Sequence, residues 1–331
     1  MPVIGSAIGL IEDHRLYYRG HDALQLAESA TLEEVAAILW DEATPHSPAP
    51  TALFPPTSRG RGACWGEGQL RVIERCQMRL AELAAADHAA LDLTRAGVVR
   101  TGRLILGELA AAVGHTRLLA LPVHRQLAVA WKLNEAEANL VRRCLVLLAD
   151  HELNASTFVA RCVASTGATP YAVVSGALAA LSGRRHGGAS AQVEALCREL
   201  AAGGDPMAVM AARLARDEAL PGMGQPLYPE GDPRAIAILG AAKAAVPTKA
   251  DWIDKVTQAA TRLTGQLPNV DFGLGMTATV LGLPQDAALG IFLVARSVGW
   301  IAHATEQYDS GMLIRPRARY LGKRPAAATV E

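Results

Sequence analysis

Polar side chains that could carry acid–base chemistry interrupt an Ala- and Leu-rich chain at five places. These are DHELNAST (150–157), SGRRHGGAS (182–190), GMGQPLYPEGDPR (222–234), PNVDFGLG (268–275) and the arginines Arg296, Arg315 and Arg317. Among their side chains are His151, His186, Asp271 and several arginines, in apolar or Gly-rich settings. Arginine matches a carboxylate through two parallel hydrogen bonds, so several arginines favour a ligand with two or three carboxylates.

Each of these features also has a purely structural interpretation. A lone histidine is often a packing residue, and HGG (186–188) could end a helix, where glycine supplies positive φ. Asp271, shortly after Asn269, could be only a helix cap, and Arg296 could be only an ion-pair partner. Residue types and spacing therefore leave two interpretations open: a helical protein that binds a small polyanion, and one in which these residues only stabilise the fold.

The stretch Gly222 to Arg234 has the composition of an active-site loop, because a backbone that approaches a ligand closely favours glycine. The residue placed to act on that ligand is Gln225. Its amide can donate or accept a hydrogen bond, but it cannot transfer a proton at ordinary pH.

Composition excludes several classes of protein. The 331 residues carry 32 basic and 32 acidic side chains, so no net positive field attracts nucleic acid or anionic lipid. The first ten residues lack the positive charge and the long apolar run of a signal peptide. The sequence has no uninterrupted run of about 18 apolar residues, which argues against a membrane span. The five cysteines form no CxxC pair, so we expect free thiols, no metal and a cytoplasmic protein.

Helix signals dominate after LIEDHRLYYRG, which is predicted to form a small hairpin or an extended arm. Thr31 with Glu34, and Asn134 with Glu137, have the spacing of capping boxes, and two Asp-Pro pairs are typical helix starts. Residues 44–68, rich in proline and glycine, are predicted to form a loop. The pattern predicts an all-α protein, and helices that are apolar on every side favour a dimer.

The polar stretches resemble motifs of the citrate synthase family in the family's own order and over nearly the whole chain. The matching segments are LYYRGHDALQLAESATLEEVAAILW, DHELNASTFVARCVAST, HGGA, YPEGDPRA, LPNVDFGLG and ARSVGWIAHATEQ with IRPRARYLG. The resemblance implies an all-α homodimer with a large helical domain (1–187 and 282–331) and a small helical domain (188–281) that closes over the substrates.

The resemblance also implies a reaction, the condensation of acetyl-CoA with oxaloacetate followed by hydrolysis of the thioester. Neither a metal nor a tightly bound cofactor is required, because the coenzyme A thioester is a substrate. Asp271 falls on the base that removes a methyl proton, and His186 on the donor to the thioester oxygen. The implied oxaloacetate contacts are His151, Arg234, Arg296, Phe292 and Arg315, the last supplied by the other subunit.

Met223, Gln225, Ser190 and the basic pair in SGRR depart from the family pattern at the expected chemistry. Gln225 stands where the family has a histidine that polarises the ketone of oxaloacetate, and Ser190 stands where it has an asparagine after HGGA. Three hypotheses follow: a condensing enzyme, slowed or with a different 2-oxo acid; a non-catalytic homologue that binds a dicarboxylate or CoA; and a different CoA-thioester reaction. Propionyl-CoA is an alternative acyl donor, since 2-methylcitrate synthases share these motifs.

Overall fold

The computed structural model describes residues 4–41 and 70–323, and within these ranges the fold is almost wholly α-helical. The loop predicted at 44–68 lies outside the described residues. The helices are α1 (Ala23–Ser29), α2 (Leu32–Leu39), α3 (Val72–Ala86), α4 (Arg95–Gly114), α5 (Val123–Trp131), α6 (Glu135–Leu148), α7 (Ala155–Ala164), α8 (Pro170–Leu181), α9 (Gly187–Ala201), α10 (Pro206–Leu214), α11 (Pro233–Ala245), α12 (Ala250–Thr264), α13 (Val270–Val280) and α14 (Ala287–Ser310).

A small antiparallel sheet precedes the helices. Strand β1 (Gly9–Glu12) pairs with β2 (Arg15–Tyr18), which pairs in turn with β3 (His21–Asp22). The predicted hairpin is therefore confirmed. The buried hydroxyl of Tyr18 donates to the carbonyl oxygen of Val146 at 3.0 Å, so the sheet is attached to the last turn of α6.

The helix starts predicted from sequence are present. Thr31 with Glu34, and Asn134 with Glu137, form complete capping boxes at the starts of α2 and α6. The two Asp-Pro pairs begin α10 and α11, with the aspartate side chain accepting a hydrogen bond from a first-turn amide. These caps satisfy amides that the helix leaves without an internal partner, which fixes where each helix begins.

Helix α14 runs through the centre of the protein, with α4, α6, α7 and α8 packed around it. At Gly299, a β-carbon would lie 2.5 Å from the carbonyl oxygen of Ala149, so only glycine allows this approach. The Gly299 amide donates to the same oxygen at 3.0 Å. The segment after α6 is therefore held against the middle of α14.

A second close contact joins α9 to α13. A β-carbon on Gly275 would lie 2.6 Å from a methyl group of Val193, so glycine again permits the two helices to approach. This packing brings the first turns of both helices, with Ser190 and Asp271, side by side. The predicted boundary between domains, near residues 188 and 281, remains a prediction.

Helix α14 is long and apolar enough to cross a membrane by length and composition, and it is buried within the protein's own core. After it, residues 311–323 form an exposed segment without regular secondary structure. This segment carries Met312 and Leu313, which are 69% and 59% exposed.

Candidate active site

His186 occupies the N-cap position of α9, with φ −138° and ψ −114°. The interpretation in which HGG ends a helix is therefore wrong, because a helix begins there. The ring is edge-on to Phe292, with centroids 5.9 Å apart, and its Nε2 lies 2.7 Å from Oγ of Ser156. Burial, with a smaller effect from Arg296, lowers the pKa of His186 to about 4, so the imidazole is neutral at ordinary pH.

Ser156 links that imidazole to the core. Its Oγ accepts a hydrogen bond from Nε1 of Trp300 at 3.2 Å and donates to Oδ1 of Asn154 at 2.9 Å. Because an indole N–H can only donate, the single hydroxyl hydrogen is free to point to Asn154 or to Nε2 of His186. In the second orientation the imidazole would carry its proton on Nδ1. Ser156 is therefore placed to select the tautomer of His186.

Asp271 lies in the first turn of α13, but it does not cap that helix. Asn269 is the cap, and its Oδ1 accepts from the amides of Asp271 and Phe272 at 3.0 and 3.4 Å. The interpretation of Asp271 as a cap is therefore wrong. Its Oδ1 accepts a hydrogen bond from the hydroxyl of Ser190 instead. Burial raises the pKa of Asp271, against the opposing effects of Ser190 and the two nearby arginines.

Arg234 is a buried guanidinium held in place by a neighbouring carboxylate. Its Nε and Nη2 donate to the two oxygens of Asp232 at 3.0 and 2.8 Å, and Tyr228 lies beneath it with its ring centroid 5.4 Å away. Asp232 also accepts from the amide of Val270 at 3.1 Å, which ties Arg234 to the start of α13. Arg234 therefore stands close to Asp271 with little freedom to turn away.

Arg296 is buried to the same degree but has different partners. Its Nε donates to the carbonyl oxygen of Leu148 at 2.8 Å, and its guanidinium lies 4.8 Å from the ring centroid of Phe292. Burial is the main effect that lowers its pKa, to about 10, so it is still protonated at neutral pH. Because only its Nε donates to the Leu148 carbonyl among the described residues, the Nη groups of Arg296 can donate to an anion.

His151 follows α6 and faces the glycine-rich loop. Its Nε2 lies 3.1 Å from the hydroxyl of Tyr228. Burial, reinforced by Arg234 and Arg296, lowers the pKa of His151 well below the usual value, so this imidazole is also neutral.

The loop that carries Gln225 is attached to the segment before α13. The Gly224 amide donates to the carbonyl oxygen of Leu267 at 2.8 Å, and the side chain of Asn269 donates to Gly224 at 3.0 Å. Gly222 and Gly224 have φ of +84° and +75°, which glycine adopts without strain. Among the described residues, the side-chain amide of Gln225 makes one weak contact, from the Leu227 amide to its Oε1 at 3.4 Å, and its NH₂ group has no partner there.

Seven of the eight residues predicted from sequence to form the site lie on segments that these hydrogen bonds and ring contacts join. The eighth, Arg315, does not. Arg315 is exposed on the segment after α14.

Sequence reasoning did not single out four residues that hold the cluster together. They are Ser156, Ser190, Tyr228 and Asp232. Asp232 had been noted only as a helix cap, and Ser190 only as a departure from a motif. Each lies within one of the polar stretches, and that location is the signal that could have identified them.

The fold and the cluster define a class: an all-α protein with neutral imidazoles, a half-buried carboxylate and buried guanidinium groups suited to acid–base work on a small anion. Residues 1–317 match the family model described as the citrate synthase C-terminal domain. The chain therefore belongs to the citrate synthase family.

Similar proteins agree with this assignment. Citrate synthase 2 of Bacillus subtilis is 29% identical over 345 residues, which cover 96% of this chain and 93% of the relative. A 2-methylcitrate synthase of Mycobacterium tuberculosis is also 29% identical, covering 94% and 86%. A citrate synthase of Haloferax volcanii is 40% identical over 198 residues, and this match spans about half of that relative, 52%.

A solved structure has the same fold. The crystal structure of citrate synthase from Thermotoga maritima superposes with a TM-score of 0.79, at 25% identity, over 98% of this chain and 95% of the other. The all-α, citrate synthase-like fold expected from sequence is confirmed.

Proposed function

We propose that this protein condenses a short acyl-CoA, acetyl-CoA or propionyl-CoA, with oxaloacetate or a related 2-oxo acid. The observation that carries the proposal is the junction of α9 with α13. His186 begins α9, and Ser190, one turn later, donates to Asp271 at the start of α13. One helical turn rises about 5.4 Å, and this junction supports the proposal that the base and the thioester donor act on the same substrate.

In the proposed first step, Asp271 removes a proton from the carbon next to the thioester carbonyl. The electron pair of that C–H bond forms the enol, whose oxygen receives a hydrogen bond from His186. A neutral imidazole suits this role, because it can donate at the moment when charge develops on the oxygen. Ser156 would support it by turning its hydroxyl hydrogen from Asn154 to Nε2, which leaves the imidazole proton on Nδ1.

In the second step, the enol carbon attacks the ketone carbon of the 2-oxo acid, and the ketone oxygen becomes an alkoxide that takes up a proton. Water then adds to the thioester carbonyl, the C–S bond breaks, and CoA leaves with a proton as the free thiol. Each bond change involves only the acyl-CoA, the 2-oxo acid, water and protons.

We assign the 2-oxo acid to His151, Arg234, Arg296 and Phe292. The two guanidinium groups are buried, and burial strengthens their attraction for carboxylates. Arg315, exposed on this chain, would complete the site of a second copy in a homodimer. We further propose that residues 188–281 close over the substrates, and that the enzyme works in the cytoplasm.

Gln225 is proposed to bind the ketone oxygen through its NH₂ in place of the imidazole found in the family. The support is its position, on a loop tied to the segment before Asp271, and its donors that lack partners among the described residues. A glutamine holds the oxygen but cannot pass a proton to the alkoxide. We therefore expect condensation to be slower than with a histidine.

The test is release of free CoA thiol from acetyl-CoA or propionyl-CoA in the presence of oxaloacetate, for the wild type and for Asp271→Asn. Condensation predicts release that needs both substrates and is lost in the variant. Release without a 2-oxo acid would instead support a different thioester reaction. Binding of oxaloacetate without any release would support a non-catalytic homologue, and either result would overturn the proposal.

A further inference from the structure

Ser190 makes a contact that the family resemblance does not explain. It is fully buried in the first turn of α9, and its hydroxyl donates to Oδ1 of Asp271. A serine hydroxyl has one hydrogen, which this bond uses. The side chain is short, so it can reach Asp271 only because Gly275 lets α9 and α13 pack closely.

The second oxygen of the same carboxylate is in a different position. Among the described residues no group donates a hydrogen bond to Oδ2 of Asp271, and Oδ2 is not among the buried oxygen atoms that lack a partner. Oδ2 of Asp271 is therefore exposed enough for water or a substrate to reach it. The two oxygens of Asp271 are therefore inequivalent, one held by Ser190 and one open.

We propose that Ser190 is a positioning residue for the base: by holding Oδ1 it orients the carboxylate so that Oδ2 takes the proton from the acyl-CoA. This inference rests on the proposed function, because it assigns the oxygen that acts in the first step. The proton moves from the substrate carbon to Oδ2, and the hydroxyl of Ser190 keeps its own proton throughout.

The hydrogen bond from Ser190 also favours the ionised form of the Asp271 carboxyl. Burial disfavours a charged Asp271, and the hydrogen bond from Ser190 is the largest opposing effect, followed by Arg234. Without Ser190 the carboxylate would lose both a fixed orientation and a group that favours its charge. Orientation affects turnover, whereas charge affects the pH at which turnover begins.

The experiment is a graded series in the full-length protein, Ser190→Ala and Ser190→Cys, with kcat, KM and the pH profile measured by thiol release. A hydrogen bond to a charged group supports an expected loss of about tenfold in kcat for Ser190→Ala, with KM for acyl-CoA changed little. The acid side of the profile should move to higher pH. Ser190→Cys, a weak donor of similar size, should fall between the two.

Ser297→Ala is the matched control. Ser297 is also fully buried, but its hydroxyl donates to the Val294 carbonyl of its own helix, so its removal should leave the pH profile unchanged. A Ser190→Ala profile with the same acid side and the same kcat as the wild type would overturn the proposal. The proposal would also be overturned if kcat fell equally in Ser190→Ala and Ser190→Cys while the acid side of the pH profile stayed in place. That pattern would indicate general damage to packing.

A second measurement does not depend on turnover. The Asp271 carboxyl carbon, assigned by its absence in Asp271→Asn, can be titrated by ¹³C NMR in the wild type and in Ser190→Ala. We expect its pKa to be higher in Ser190→Ala, and equal values would contradict the proposal. If the wild type releases no thiol, the proposed function fails, while this titration still decides whether Ser190 acts on Asp271.

Discussion

Nε2 of His151 lies 3.1 Å from the hydroxyl oxygen of Tyr228, although 77 residues separate them along the chain. The contact joins the segment after α6 to the loop that carries Gln225. Burial raises the pKa of Tyr228 to about 12, so its hydroxyl stays protonated and can donate to the neutral imidazole. A proposed substrate residue is thus oriented by a residue that no sequence motif singled out.

Tyr228→Phe should therefore weaken the binding of the 2-oxo acid. Loss of one hydrogen bond, about 1 kcal/mol, predicts a KM for oxaloacetate raised by roughly 5-fold, with kcat affected less. Steady-state kinetics at saturating acyl-CoA provide the measurement. Tyr308→Phe is the control, because that hydroxyl donates to the Ala168 carbonyl away from the site. An unchanged KM for Tyr228→Phe would show that His151 needs no such support.

Gln225→His should raise the rate of condensation. An imidazole at this position can donate to the ketone oxygen and also supply a proton to the alkoxide, which an amide cannot do. We expect kcat to increase by about 10-fold, which is less than the roughly 100-fold effect of removing a single oxyanion donor, because glutamine already supplies one hydrogen bond. Thiol release with acetyl-CoA and oxaloacetate measures it. A correctly folded variant that turns over more slowly would refute the role given to Gln225.

The pH profile should report Asp271 on its acid side. Burial raises the pKa of Asp271, so as the pH falls this base becomes protonated earlier than an ordinary aspartate, whereas burial lowers the pKa of His186 to about 4. The logarithm of kcat/KM should fall with unit slope through a single apparent pKa. His186→Gln should lower the rate without moving that pKa. A shift of the acid side in His186→Gln would mean that the imidazole titrates there instead.

Asp271→Asn should stabilise the protein while it removes activity. A carboxyl whose folded pKa is raised contributes most to stability below its unfolded pKa, and that contribution is lost as the pH rises through the folded pKa. At pH 7 the neutral amide should therefore raise the melting temperature by about 2 °C, which corresponds to about 1 kcal/mol. The difference should vanish below about pH 4. A lower melting temperature at pH 7 would contradict the raised pKa.

Mixing two inactive variants should test whether Arg315 acts across a dimer. In a heterodimer of Arg315→Ala with Asp271→Asn, one site carries both changes and the other carries neither. Co-refolding equal amounts should therefore restore about a quarter of the wild-type activity, since half of the dimers are mixed and each has one intact site. Restoration should fail if Arg315 serves its own subunit.

The sequence predicted the parts of the fold that depend on neighbours along the chain. The capping boxes at Thr31 and Asn134 were correct, because a cap is formed between residues three positions apart. The hairpin at Asp13 and His14 was correct for the same reason. The polar stretches were also sufficient to identify the family, which the family model confirms.

Contacts between distant stretches could not be predicted in this way. Ser190 meets Asp271 across 81 residues, and nothing in SGRRHGGAS indicates that the hydroxyl turns towards α13 rather than towards its own helix. The capping interpretation of Asp271 was wrong because Asn269, two residues earlier, takes that place. Local patterns permitted both outcomes, and the packing of α9 on α13 decided between them.

By itself, then, the sequence determined the helical class, the helix starts and the kinds of side chain available for chemistry, since these depend on local geometry and on composition. Only the tertiary structure decided which oxygen of Asp271 is held and which is open, and that Tyr228 faces His151. The physical reason is that helix contacts are set by close packing at positions such as Gly275 and Gly299, where a single methyl group would force the elements apart.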